Sequence, residues 1–495
     1  MANAAFQFFE KRAMLKRHRS AHSLQEYVSH LIDVGELDQA LREIHDFVER
    51  IITEPLCTSQ IFGSRNLDDL CQGIGKANLA RIKEKESVGN GLKQPKLLFA
   101  YVITKLQKSG GHTRVIEDFI RARPEARHVI LLTELAGNSE LDYVVNGLAN
   151  ESDLVIEAAP KRSYLQRLTW LQRRLLELGP TQVFLFNHHQ DSVAVAAIQP
   201  EMELSGSFYH HGDHHLCLGV YLSHLEHIDP HPMGYHNCRN ALGIDNVYVP
   251  LCVDDKGGLP DAWSFLKSGS LTTCTAARSN KIEIPYFVSY LDVVPQLLQV
   301  TGGRHIHIGR LSPWAISRIL RGLKKLGIPR DRFVYVPWVP SVWKALHEYR
   351  VDLYVASFPY GGGLTLIEAM GAGVPVALHR HVYSRVLSGI DLAYPGVFSW
   401  RQPEELFEYC ASISAEHLSE SAKAARRQYE RFHTREHLHR FLNESGSSRL
   451  SPGELAGDFS VESDEWALWM ERQLNLRHLI HRAAYRMFRY FRSRF

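Results

Sequence analysis

A chain of 495 residues with 45% apolar and 22% charged content buries large cores and divides into about two to four domains. Its formal net charge of +3 excludes a generally basic nucleic-acid-binding surface, so any basic function is local and no nucleic-acid partner is expected. Seven cysteines, Cys57, Cys71, Cys217, Cys238, Cys252, Cys274 and Cys410, form no Cys-x-x-Cys pair and point to reduced thiols in a cytoplasmic setting.

The stretch from Met1 to Arg12 lacks the apolar core of a signal peptide. No later run approaches the roughly eighteen apolar residues of a membrane span, so neither export nor integral insertion is expected. Residues 20–85 carry helical periodicity in Leu24, Tyr27, Val28, Leu31 and Ile32, then Leu37, Ala40, Leu41, Ile44 and Val48. They predict a helical N-terminal domain over 1–92 that serves packing or partner binding.

From Lys96 short apolar runs alternate with helical segments. Strands are expected at 97–104, 129–133, 154–157, 183–187, 207–211 and 247–251, which is the pattern of a parallel sheet with crossover helices. Between the first strand and a helix expected over 115–122 lies Ser109-Gly110-Gly111-His112-Thr113-Arg114, a glycine turn at a strand-to-helix junction.

The run Phe208-Tyr209-His210-His211-Gly212-Asp213-His214-His215 is crowded with imidazoles, and His224, His227, His231 and His236 follow it. Metal ligation is one reading of such a run. Adjacent residues on an extended strand point to opposite faces, so these cannot all converge. The preferred reading places one imidazole or Asp213 in a cleft as general base or acceptor-binding group. His211 and Asp213 share one side of an extended segment and form the favoured pair. His210 with His214 across Gly212 is the other set, and histidines that merely stabilise a loop are the structural alternative.

A Gly/Pro-containing stretch at 256–269 precedes a second set of strands, at 271–276, 305–308, 333–336, 353–356 and 374–378. Arg278 and Lys281 follow the first of these, and Pro337-Trp338-Val339 follows the third. Helices dominate again from Gln402. Between Arg472 and Phe495 seven arginines interleave with Leu476, Leu479, Ile480, Tyr485, Phe488, Tyr490 and Phe491. A basic aromatic helix of that kind suits an anionic membrane surface, with a packed terminal helix as the alternative.

The most informative stretch runs from Ser357 to Val376. Val351 to Ala356 supplies a strand, Gly361, Gly362 and Gly363 a turn without β-carbons, and Leu364 to Met370 a helix that Gly371 and Gly373 stop. Bare amides and the positive end of a helix dipole favour a diphosphate, while Glu368 lies along the same helix to accept hydrogen bonds from ribose hydroxyls. A nucleotide-sugar is the natural ligand, and a packing turn is the structural alternative.

Gly361-Gly-Gly-Leu-Thr-Leu-Ile-Glu-Ala-Met-Gly-Ala-Gly-Val-Pro-Val376 resembles the donor-site signature of GT-B glycosyltransferases. Phe358-Pro-Tyr-Gly-Gly-Gly-Leu-Thr365 is similar to the O-GlcNAc-transferase and HMW1C-like branch, and Glu368-Ala-Met to the retaining GT4 group. Tyr360 stands eight residues before Glu368, where the retaining group usually carries a second glutamate, and this leaves the stereochemical outcome open. The resemblance spans roughly residues 95 to 400. It implies an α/β fold of two Rossmann-like, doubly wound parallel-sheet domains facing a cleft. The acceptor-side domain would occupy 93–265 and the donor domain 266–400, with C-terminal helices and the basic amphipathic tail over 401–495.

The resemblance further implies a hexosyl- or N-acetylhexosaminyltransferase that uses a nucleoside diphosphate sugar, UDP-linked in the first instance, without a metal or other cofactor. Gly110, Gly111, His112 and Thr113 would approach the donor from the first domain. Lys281, with Arg278 as second choice, would neutralise the diphosphate, and Trp338 and Val339 would flank the base. Tyr360, Gly361, Gly362, Gly363, Leu364 and Thr365 would line the phosphates, Glu368 would hold the ribose, and His211 or Asp213 would assist the acceptor. The branch resemblance favours a protein acceptor, whereas the tail favours a glycan or lipid-linked glycan of surface-polysaccharide synthesis, with peripheral membrane contact. A non-catalytic GT-B binding protein and a metal-dependent hydrolase built on the histidines are the rival classes.

Overall fold

The computed structural model describes residues 21–52, 62–85, 97–107, 111–135, 137–141, 153–213, 215–284, 286–381, 384–444 and 450–455, with isolated positions 480, 483, 484 and 487. Gly110, His214 and, those four positions apart, the basic aromatic segment lie outside the described residues.

Three helices come first: α1 (Ala21–Asp33), α2 (Leu37–Ile52) and α3 (Arg65–Lys85). Their apolar stripe, with Leu24, Val28, Leu41, Ile44 and Ile74, packs in one cluster with Leu98, Ala100 and Val102 of β1 (Leu98–Ile103). The helices are therefore a layer laid on the first sheet and share its core.

β1 leads to α4 (Gly111–Arg121), β2 (Arg127–Leu132), β3 (Asp153–Ala158), α5 (Tyr164–Leu178), β4 (Gln182–Phe186) and α6 (Ser192–Ala197). β5 (Gly206–Tyr209), β6 (Glu226–Asp229), α7 (Pro232–Asn240) and β7 (Asn246–Tyr248) complete the domain. The seven strands form a parallel sheet in the order β3-β2-β1-β4-β5-β6-β7. The two-residue period of a strand splits β1: Leu98, Ala100 and Val102 face the helical layer, while Phe99, Tyr101 and Ile103 face α4 and Phe119.

Three local expectations are corrected by the structure. α4 starts at Gly111 and not at Val115, so His112 and Thr113 belong to its first turn; the Thr113 hydroxyl accepts the Gln107 amide at 2.9 Å. β5 ends at Tyr209. The His210 amide bonds the Ile228 carbonyl at 2.9 Å, and the His211 amide then turns back to the Tyr209 carbonyl at 2.7 Å. Residues 211–213 thus form a turn, and the extended segment expected to align His211 with Asp213 is absent. β6 escaped notice because Glu226-His-Ile-Asp offers a single apolar residue, with its polarity buried in His227 and Asp229.

The second domain holds β8 (Thr272–Ala276), α8 (Ser279–Ile282), α9 (Tyr290–Thr301), β9 (Arg304–Ile308), α10 (Pro313–Lys325) and β10 (Phe333–Val336). It continues with α11 (Val342–Glu348), β11 (Leu353–Val355), α12 (Gly363–Gly371), β12 (Val376–His379), α13 (Arg385–Ser388) and β13 (Phe398–Trp400). The sheet is parallel, in the order β10-β9-β8-β11-β12-β13, and the short edge strand β13 was not anticipated. His305 and His307 of β9 are buried core histidines, each bonded to the Tyr290 hydroxyl, at 2.8 and 2.7 Å. Burial pushes their pKa values down to about 3 and about 4, which keeps both neutral.

α14 (Pro403–Ser412) and α15 (Ala415–Phe432) pack on this second domain through Leu406, Leu418, Ala425 and Tyr429. α16 (Arg435–Asn443) crosses back, and its Leu438 joins Ile103 and Phe119 in the first core. The returning chain runs beside the outgoing linker: the Val253 amide bonds the His433 carbonyl at 3.0 Å, and the Tyr429 hydroxyl donates to the Val253 carbonyl at 2.8 Å. Arg435 pairs with Asp118 of α4 and with Asp254 of the linker, and Arg114 reaches Asp254 at 3.1 Å.

Strand order reverses once in each sheet, between β1 and β4 and between β8 and β11. Connections diverge to opposite sides at such a point and open a crevice at the carboxyl ends of the strands.

Candidate active site

The crevice of the second sheet is bounded by the connections that leave β8 and β11, and these bring Lys281 to the glycine turn. From α8, Lys281 donates its Nζ to the Gly361 carbonyl at 2.7 Å, and the Tyr360 amide returns to the Lys281 carbonyl at 3.3 Å. Burial pulls the Lys281 pKa down to about 8. Arg278, in contrast, precedes α8 as an exposed residue.

None of the three glycines has a positive φ; close approach explains them. A β-carbon on Gly361 would stand 2.6 Å from the Leu387 carbonyl oxygen. One on Gly362 would run into the Thr365 hydroxyl and come within 3.5 Å of Lys281 Nζ. The Gly361 amide is not free, as the bare glycine run suggested, because it donates to Leu387 at 2.9 Å. The ladder of α12 begins with Leu366 bonding the Gly362 carbonyl at 3.0 Å, so the amides of Gly363, Leu364 and Thr365 precede it with no side-chain cap. Those three donors, the helix dipole and Lys281 make a site for a compact polyanion.

One turn along α12, the Glu368 carboxylate lies 3.8 Å from Lys256 Nζ, and Lys256 also donates to Ser341 Oγ at 2.9 Å. Burial raises the Glu368 pKa, while Lys256 and Arg114 oppose the rise. Trp338 leaves the end of β10 with 59% of its surface exposed, and Val339 beside it packs against the second core. A large aromatic face left open to solvent at the carboxyl end of a parallel sheet suits stacking on a base.

The facing crevice of the first sheet gathers three imidazoles from separate loops. His112 comes from the first turn of α4, His188 follows β4, and His211 follows β5. The ring centroids of His112 and His211 are 4.4 Å apart, and those of His112 and His188 are 5.1 Å apart. Burial holds His112 well below the usual histidine range, reinforced by His211 and His188, and burial likewise lowers His188. His188 was missed because Asn187-His188-His189 reads as an ordinary loop; its place after the switch-point strand was the available signal. The Thr104 hydroxyl anchors this loop by accepting the His188 amide at 2.9 Å and donating to Asp191 Oδ2 at 2.6 Å.

Of the two histidine sets left open by sequence, His210 is fully buried and bonded to Asp229 at 2.9 Å, whereas half-buried His211 joins the crevice. Asp213 is buried against Gly234 at the start of α7, beside Asp229. The two crevices face each other. A β-carbon on Gly111, next to His112, would sit 3.3 Å from the Leu364 side chain at the head of α12.

No family model matches the chain, and no curated relative matches it. Among solved structures it is similar to Anabaena Alr3699/HepE in complex with UDP and glucose, at 11% identity over 71% of this chain and 99% of that one, with a TM-score of 0.52. It is also similar to the lipopolysaccharide outer core galactosyltransferase WaaB in its apo form, at 16% identity over 70% of this chain and 99% of that one, with a TM-score of 0.50. This chain has the GT-B fold. In GT-B terms the polyanion site belongs to the second domain and the imidazole group to the first. The α1–α3 layer lies on the first sheet, on the face opposite α4. No helix among the described residues is long and apolar enough to cross a membrane.

Proposed function

We propose that this protein is a glycosyltransferase that moves a sugar from a nucleoside diphosphate donor, UDP-linked in the first instance, to an acceptor hydroxyl. The observation that carries this reading is the convergence of Lys281 with the uncapped amides of Gly363, Leu364 and Thr365. Cleavage of a sugar–diphosphate bond leaves negative charge on the departing phosphate, and fixed donors at that point stabilise the transition state more than the ground state. Glu368 accepts the ribose hydroxyls and Trp338 stacks on the base. His211 removes the acceptor proton, with His112 and His188 as its neutral neighbours. Asp213, buried beside Gly234 and Asp229, takes no part in the proton transfer. Closure of the two domains excludes water and limits donor hydrolysis.

We read the acceptor as a glycan or lipid-linked glycan, on the strength of the basic aromatic sequence over 472–495. A protein acceptor is the second reading, and the Phe358 to Thr365 phrase supports it.

Thermal melting against a panel of nucleotide-sugars tests the proposal. The preferred donor is expected to raise the melting temperature, and Glu368→Ala is expected to remove most of that rise. An unchanged rise in the variant means that Glu368 does not hold the donor. Trp338→Ala is expected to weaken nucleotide binding by roughly 5- to 150-fold, the range of base–aromatic stacking of about 1–3 kcal/mol. Because Trp338 is mostly exposed, the melting temperature of the unliganded variant should stay near the parent's. Equal nucleotide affinity by calorimetry in parent and variant would remove Trp338 from the site.

A further inference from the structure

The polar residues that gave β6 its unusual sequence converge with one residue from each neighbouring element. His210 follows β5, His227 and Asp229 lie in β6, and Cys238 lies in α7, with none of the four more than 3% exposed. One donor atom from each residue lies within 4.8 Å of every other. His210 Nδ1 is 3.5 Å from Cys238 Sγ, Cys238 Sγ is 3.7 Å from Asp229 Oδ1, and His227 Nε2 is 3.2 Å from Asp229 Oδ2. Neighbouring nitrogen, oxygen and sulfur ligands on a tetrahedral zinc ion are separated by roughly 3.3–3.6 Å, given its usual bond lengths. His210 Nδ1 to Asp229 Oδ1, at 2.9 Å, is shorter and would open slightly around an ion.

We propose that His210, His227, Asp229 and Cys238 form a closed, structural binding site for a zinc-type divalent cation. Three further observations support it. First, His227 Nε2 is buried and turned toward Asp229 Oδ2 at 3.2 Å, so a nitrogen and a carboxylate oxygen from one strand already converge on the same interior point. Second, the outer contacts have the arrangement that orients metal ligands: His227 Nδ1 faces the Val220 carbonyl at 3.3 Å, and Asn246 Nδ2 donates to Asp229 Oδ2 at 2.6 Å. Third, a divalent cation balances one thiolate and one carboxylate with two neutral imidazoles, which leaves no net charge in a fully buried place. On binding, the Cys238 thiol gives its proton to solvent and the sulfur lone pair forms the bond to the metal, with no change of oxidation state.

All four ligand positions come from protein, so the ion would not meet substrate. It would tie β5, β6 and α7 together next to the turn that begins at His211. The ligand set is independent of the transferase reading, since none of the four residues has a part in it. The difficulty foreseen in sequence, that consecutive histidines cannot share one ion, does not arise, because only His210 of that run takes part.

The full chain, untagged and expressed with zinc, is dialysed against metal-free buffer and measured by elemental analysis and, after cobalt(II) exchange, by absorption. About one equivalent of zinc per chain is expected, together with a thiolate-to-cobalt charge-transfer band. Cys238→Ser should abolish the band and lower zinc affinity by at least about tenfold, while Cys274→Ser, a buried thiol elsewhere, should keep both. Should Cys238→Ser fail to fold, Asn246→Ala still tests the site, with an expected loss of affinity of about 10- to 100-fold. A folded parent chain that takes up neither zinc nor cobalt when loaded with excess overturns the proposal. So does metal that persists in a His227→Gln, Cys238→Ser double variant.

Discussion

Lys281→Met is expected to lower kcat/KM for the nucleotide-sugar by about 10²- to 10³-fold, the scale of losing one fixed donor to a developing anion. The same substitution is expected to make the unliganded protein more stable. Lys281 is charged in a place that disfavours charge: burial brings its pKa from 10.5 to about 8, and its Nζ is held by a single carbonyl, that of Gly361. The cost to the folded state is at most on the order of 3 kcal/mol, and less because part of the side chain reaches solvent. The unfolded chain binds this proton more tightly, so the cost is complete below pH 8 and fades as pH rises from about 8 to 10.5. Stability of the parent should therefore climb over that window relative to Lys281→Met. Diphosphate affinity should move the opposite way and fall above pH 8 as the free ammonium loses its proton. Melting curves and nucleotide titrations over pH 7 to 10, about the window of this shift, read both slopes. A variant that binds and turns over donor like the parent would remove Lys281 from the mechanism.

His211→Ala should act on the other half of the reaction. A general base contributes typically about 10²- to 10⁴-fold, so kcat is expected to fall by that range while UDP affinity stays within about twofold. His211 is assigned this part over His112 because it is half-buried, whereas His112 is nearly closed off and held neutral by burial. His188 is half-buried as well, but burial lowers its pKa and weakens it as a base. His112 lies between His211 and His188 and would fix the orientation of the His211 ring. Steady-state kinetics with saturating donor separates the outcomes. If UDP affinity falls and kcat does not, His211 is a donor contact and the base lies elsewhere.

The donor half of this site was easy to foresee because one local sequence carries it. A strand, a glycine turn and an amphipathic helix follow one another from Val351 to Met370, and local propensity with burial is enough to place them. The partnership of Lys281 with Gly361 spans eighty residues, and in sequence only the GT-B resemblance brought the two to one diphosphate; the structure shows why, since both follow strands on either side of a switch point. The acceptor half resisted in part for the opposite reason. His112, His188 and His211 stand after three different strands, and only the strand order β1-β4-β5 brings those loops together. His188 was invisible without that order. The pairing of His211 with Asp213 failed because it assumed extended geometry one step beyond the last ladder bond. β6 was lost because its stability comes from buried polar partners, which hydrophobic periodicity does not detect.

The proposed transfer requires above all that the head of α12 and Lys281 together hold a nucleotide's diphosphate. Calorimetric titration of UDP and UMP into the parent and into Lys281→Met isolates that contact. UDP is expected to bind the parent at least about tenfold more tightly than UMP, and Lys281→Met is expected to erase the difference. Equal affinity for the two nucleotides in the parent, or a difference that survives the loss of the lysine, would contradict the proposed diphosphate site.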